Sequence, residues 1–136
     1  MDLSRALQIV SRTDPGMVRA HNEDAVAADA VRGLVVLADG MGGYNAGEVA
    51  SGMATTVITT EMAQALASLN PQDQDPQTRR PLAEKLLHDQ ILKANASIYQ
   101  AAQSQPQYAG MGTTLVTCLF YDDRVMVAHL ECRSCA

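Results

Sequence analysis

Apolar residues recur with a helical period over two long stretches of this chain. From Ala46 to Leu69 they fall at steps of three and four residues, which predicts an amphipathic helix. A second stretch of this kind opens at Pro81, a residue suited to the first turn of a helix, and runs to about Gln103. The polar segment 70–77 lies between them and predicts a loop. Two consecutive helices are therefore expected.

Shorter apolar stretches on both sides of the helices predict strands. These are residues 6–12, 25–30, 34–38, 113–121 and 124–130. The tight connection at 31–33 indicates that the second and third strands form an antiparallel pair. Asp122 and Asp123 indicate a hairpin turn between the last two strands. The order β-β-β-α-α-β-β predicts an α+β fold, in which helices and sheet form separate layers.

Composition narrows the class of protein. The chain has 136 residues, which suits a single domain, and 47% of them are hydrophobic. Its net charge is −5 and it has no lysine- or arginine-rich run, so we expect neither nucleic acid nor a membrane surface as partner. The N-terminus lacks the apolar region of a signal peptide, and no apolar run approaches the roughly 20 residues of a membrane span. We therefore expect a cytoplasmic protein.

The candidate chemistry lies in two short segments. Asp39 follows a buried strand and opens a glycine-rich turn, Gly40 to Gly43, a setting that suits a carboxylate ligand for a hard metal ion. Upstream, the segment 19–24 combines an arginine with two acids, as phosphate chemistry on metal ions requires. Taken singly, Asp39 could be a turn residue that caps backbone amides, and Arg19 a solvated surface arginine.

Four motifs together carry a family resemblance. They are Thr13-Asp-Pro-Gly-Met-Val-Arg-Ala-His-Asn-Glu-Asp24, Ala38-Asp-Gly-Met-Gly-Gly43 with Gly47, Glu48 and Ala50, Gly110-Met-Gly-Thr-Thr114, and Val127-Ala-His-Leu130. In this order and spacing, from about residue 7 to residue 130, the chain resembles the metal-dependent serine/threonine protein phosphatases of the PPM, or type 2C, family. The resemblance is to its bacterial members.

This resemblance implies a fold, a cofactor and a set of site residues. The fold would be the N-terminal portion of a β-sandwich flanked by antiparallel helices, in four layers α-β-β-α. Two Mn²⁺ or Mg²⁺ ions would be bridged by Asp39 and bound by the Gly40 carbonyl, with Glu23 and Asp24 in support. Arg19 would bind the substrate phosphate. Metal-activated water would then hydrolyse phosphoserine or phosphothreonine in proteins, in opposition to a cognate serine/threonine kinase and its substrates.

The chain departs from the family pattern after Leu130. The family continues with Gly-Asp-Ser-Arg, whereas this chain reads Glu131-Cys-Arg-Ser-Cys-Ala136, with Cys132 in the place of the aspartate. We therefore expect residues 1–136 to be a single, truncated phosphatase domain with a frameshifted or altered tail. The alternative is a catalytically inactive fragment that acts at most as a binding module. A further alternative is that a partner chain supplies the absent strands.

Overall fold

The computed structural model describes the backbone of residues 2–133 and the side chains of residues 2–130. Its elements are β1 (Asp24–Asp29), β2 (Leu34–Met41), α1 (Ala46–Ser68), α2 (Leu82–Ser104), a 3₁₀ turn (Pro106–Tyr108), β3 (Gly112–Tyr121) and β4 (Arg124–Arg133). Both helices and four of the predicted strands lie within a few residues of their predicted bounds, so the predicted α+β class is confirmed.

The four strands form one antiparallel sheet in the order β1-β2-β3-β4. Each connection within the pairs β1–β2 and β3–β4 is a tight turn, so the sequence neighbours become sheet neighbours. Gly33 closes the first turn at φ +71°, and a Cβ there would lie 2.6 Å from the Phe120 carbonyl oxygen. The turn thus needs glycine for its backbone conformation and for its contact with β3.

The two helices cover one face of the sheet and bury its alternate residues. In β2, Leu34, Val36 and Ala38 are buried against this layer. The buried side of α1 begins with small residues, namely Ala46, Gly47, Ala50, Ser51 and Ala54. Small side chains allow the helix axis to approach the sheet closely, and the contact with β2 therefore brings the first turn of α1 to the end of that strand.

The opposite face of the sheet, here called the outer face, is apolar and exposed. Its exposed members include Leu37, Val116, Val125 and Val127, with 40–55% of each residue accessible to solvent. Within the described residues nothing covers these side chains. The chain thus forms one sheet with a helical layer on one side.

The prediction of a strand at residues 6–12 is wrong. The N–H groups of Ala6 and Leu7 donate to the Leu3 carbonyl in a turn, and Val10 is 86% exposed. A strand needs a neighbour for its backbone hydrogen bonds, and no described segment pairs with this one. The predicted tail change at 131–136 falls on side chains outside the described residues, so it stays a prediction.

Candidate metal and phosphate site

Asp24 and Asp39 lie directly opposite each other across the β1–β2 pair. Asp24 opens β1 and Asp39 lies near the end of β2, so antiparallel pairing places both at the same end of the sheet. Cross-strand partners share a face, and the alternation in β2 puts Asp39 on the outer face. The result is a pair of exposed carboxylates at one end of the apolar outer face.

The two carboxylates repel each other when both are ionised. Partial burial raises the pKa of Asp24, and the hydrogen bond and negative charge of Asp39 raise it further. Arg19 opposes this effect, because its positive charge lowers the pKa of Asp24. Two carboxylates this close offer a binding place to a cation, whose positive charge would offset their repulsion.

Glu23 joins the carboxylate pair to the two neighbouring segments. Its carbonyl accepts a hydrogen bond from the N–H of Gly40 at 2.9 Å, which fixes the backbone next to Asp39. Its carboxylate Oε2 lies 3.5 Å from Nη1 of Arg19. The Arg19 side chain is 72% exposed and that of Glu23 is 21% exposed, so the guanidinium extends into solvent beside the pair. All five residues expected at the site are thus close together.

Asn22, which is not among the predicted site residues, supports the site. Its Oδ1 accepts a hydrogen bond from the Asp24 N–H at 3.0 Å, and its Nδ2 donates to Oγ1 of Thr13 at 2.7 Å. These contacts tie the loop before β1 to the start of the strand. This role could be predicted from the sequence, because an asparagine two residues before a strand commonly accepts a hydrogen bond from the backbone in this manner.

Thr114 lies opposite Asp39 on the other side of β2. Its hydroxyl is 3.5 Å from the Asp39 carbonyl oxygen, a long contact at the limit of a hydrogen bond. Thr113 beside it is fully buried. The Gly-Thr-Thr motif therefore packs β3 against the strand that carries Asp39.

Comparison with known proteins agrees with this arrangement. The family model described as protein phosphatase 2C matches residues 18–130, which include every residue of the candidate site. The chain belongs to the protein phosphatase 2C family. Among curated members of that family, it is 40% identical over 125 residues to the serine/threonine protein phosphatase PstP of Mycobacterium tuberculosis. It is 34% identical over 122 residues to the serine/threonine phosphatase stp of Listeria welshimeri.

The chain spans less than half the length of these 2C relatives. The match covers 91% of the chain but 21% of PstP, and 88% of the chain but 45% of stp. The crystal structure of the catalytic domain of PstP in complex with two manganese ions superposes on the chain with a TM-score of 0.69 at 36% identity. That match covers 88% of the chain and 45% of the domain.

The candidate site contains the oxygen ligands that a hard divalent cation needs, but it contains few of them. Asp24 and Asp39 supply carboxylate oxygens at one point, and Mn²⁺ and Mg²⁺ prefer oxygen ligands. Among the described side chains, no group of three or more acidic, histidine or cysteine residues could hold a metal ion. The pair can hold a cation only together with water or further ligands.

The helices of the described chain are not membrane spans. Neither is long and apolar enough to cross a bilayer.

Proposed function

We propose that the chain carries part of the active site of a metal-dependent protein phosphatase that acts on phosphoserine and phosphothreonine. The observation that carries the proposal is the carboxylate pair Asp24–Asp39 with Arg19 held beside it through Glu23. A cation site and an arginine within one corner of a sheet are the two elements that phosphate hydrolysis needs. The names and the two bound manganese ions of the relatives support the same reaction class.

Each site residue has a distinct role in this proposal. Asp39 would bridge two Mn²⁺ or Mg²⁺ ions, and the carbonyl of Gly40 would add a ligand. Asp24 and Glu23 would support these ions, chiefly through water. When bound, such ions lower the pKa of water and offset charge on the phosphoryl group. Arg19 would bind and orient the phosphate oxygens of the substrate, a task for which its exposed guanidinium is suited.

The proposal extends to partners and place of action. The substrates would be proteins phosphorylated on serine or threonine, and a cognate serine/threonine kinase would phosphorylate them in the cytoplasm. The truncated single domain of residues 1–136 also belongs to this proposal. Support comes from the share of each relative that the chain matches, which is 21% of PstP and 45% of stp.

The test is the release of phosphate from a phosphothreonine peptide by the purified protein with the remaining strands of the phosphatase domain restored, with Mn²⁺ and with a chelator. D39N should lose turnover by more than the roughly 10–100-fold that loss of a supporting residue costs at a metal site. R19A should raise KM by at least about tenfold, because a charge-assisted hydrogen bond contributes roughly 1.5–3 kcal/mol. Turnover without a metal, or its absence from the wild type with Mn²⁺, would refute the proposal.

Matched controls are available on the same chain. D29N removes a carboxylate from the other end of β1, and R12A removes an exposed arginine from the segment before it. Both variants should keep the turnover and the KM of the wild type.

A further inference from the structure

A close contact between two glycines links helix α1 to the strand of the carboxylate pair. A Cβ on Gly40 would collide with the backbone carbonyl of Gly47 and would lie 2.8 Å from the Glu23 carbonyl oxygen. Both obstacles are backbone atoms, so a side chain at position 40 would force α1 and β2 apart. Gly40 is therefore required by the packing of the fold.

A side chain at position 47 would meet a different obstacle. A Cβ there would lie 2.6 Å from Oε1 and 2.9 Å from Cδ of Glu23. These atoms are the far end of a flexible side chain, which can move away without displacing the helix. The nearest backbone atom, the carbonyl carbon of Gly40, is 3.0 Å away. Gly47 also needs no left-handed backbone, since it lies in the first turn of α1. A methyl group at position 47 would thus displace the Glu23 carboxylate first.

The displaced carboxylate is the one that holds Arg19. Glu23 places Oε1 over Gly47 and Oε2 3.5 Å from the Arg19 guanidinium. An exposed ion pair of this kind contributes little to stability, so we assign it a role in orienting the arginine. Gly47, Glu23 and Arg19 therefore form a continuous series of contacts from the helix to the phosphate-binding side chain.

We infer that Gly47 is a positioning residue: its missing side chain leaves the space in which the Glu23 carboxylate lies, and Glu23 in turn orients Arg19 toward the substrate phosphate. The phosphate step of this inference rests on the proposed function. The geometric step, from Gly47 through Glu23 to Arg19, does not depend on it.

The decisive variant is Gly47→Ala, compared with Gly52→Ala. Gly52 lies five residues further along α1, and a Cβ there meets nothing within 4 Å. Alanine favours a helical backbone more than glycine does, so both variants should keep or raise Tm. Gly47→Ala alone should raise KM for the phosphothreonine peptide by about five- to tenfold, as expected when the charge-assisted contact that orients Arg19 is weakened, and any fall in kcat should not exceed that of Glu23→Ala.

Two further measurements distinguish a role of Gly47 in positioning Arg19 from general destabilisation of the fold. The first is NMR relaxation of the Arg19 Nε–H group, which should become as mobile in Gly47→Ala as that of the exposed Arg12. The second is a double-mutant cycle, in which Gly47→Ala added to Glu23→Ala should cause no further rise in KM. The NMR result requires no turnover. It therefore tests the geometric step even where the proposed function fails.

Three results would overturn the inference. One is an Arg19 side chain whose mobility is unchanged in Gly47→Ala. Another is a lowered Tm with KM unchanged, which would make Gly47 a packing residue like Gly40. The third is a rise in KM of equal size in the Glu23→Ala background, which would show that Gly47 acts through other atoms.

Discussion

Replacing Asp39 by asparagine should stabilise the metal-free protein at neutral pH while it removes the proposed metal ligand. Directly opposed side chains have Cβ atoms about 5 Å apart, and two unit charges at that distance in water repel by about 0.8 kcal/mol. Screening at 0.15 M ionic strength reduces this to roughly half. We therefore expect D39N to raise Tm by about 1–2 °C in a chelator at pH 7.

The pKa of Asp24 determines how the stability gained by D39N depends on pH. The pKa of Asp24 is raised in the folded state, so the fold binds that proton more tightly than the unfolded chain does. This contribution is complete below the unfolded pKa, near 3.8, and is lost as the pH rises through the folded value. The advantage of D39N should accordingly be near zero at pH 3 and full at pH 7.

The assay is thermal unfolding by circular dichroism at both pH values, with a chelator and with Mn²⁺. At tenfold excess over its Kd, Mn²⁺ should stabilise the wild type by about 1.4 kcal/mol and leave D39N unchanged. D73N, which removes another exposed carboxylate from the loop between the helices, controls for the net charge. The reasoning is wrong if D39N melts at or below the wild-type temperature in chelator at pH 7, or if its gain is the same at pH 3.

Two further predictions concern stability. L115A removes a fully buried side chain from β3 and should cost about 2–5 kcal/mol in urea unfolding, whereas V127A on the outer face, 55% exposed, should change it by less than about 0.5 kcal/mol. At Asp29, burial tends to raise the pKa, but hydrogen bonds from the side chain and backbone of Arg32 outweigh it and lower the pKa. The lowered pKa of Asp29 stabilises the fold above the unfolded pKa, near 3.8, and this contribution is lost as the pH falls through the folded value. D29N lacks the contribution, so it should lose less stability than the wild type in acid titrations below pH 4.

The helices could be predicted because each has to bury one stripe of apolar residues. Ala50, Ala54 and Ile58 are fully buried, as the helical spacing requires. The pairing of β1 with β2 was also predictable, since a connection as short as 31–33 permits little else. It brings Asp24 and Asp39 to one end of the sheet. The setting of Asp39 at the end of a strand predicts a metal ligand by itself, whereas the bridging of two ions and the supporting roles of Asp24 and Glu23 came from the family resemblance.

Other features depended on contacts that a linear pattern does not contain. The apolar residues of 6–12 have strand-like character, but a strand exists only where a neighbour can bond to it. The contact of Gly47 with Glu23 depends on the angle at which α1 crosses β2. Asp75, in the loop that was assigned no role, is 4% exposed, and its carboxylate accepts hydrogen bonds from the N–H and hydroxyl groups of Thr78.

The apolar outer face has a consequence for how β2 tolerates change. An ordinary half-exposed strand accepts polar substitutions at every second position. In β2 the residues that face the helices are buried, while Val35 and Leu37 on the other side are apolar as well. A saturation scan under selection for function would show whether tolerance alternates along Leu34–Met41. Uniform intolerance on both faces would mean that the strand evolved as the middle of a three-layer structure, with its outer face covered in the working protein.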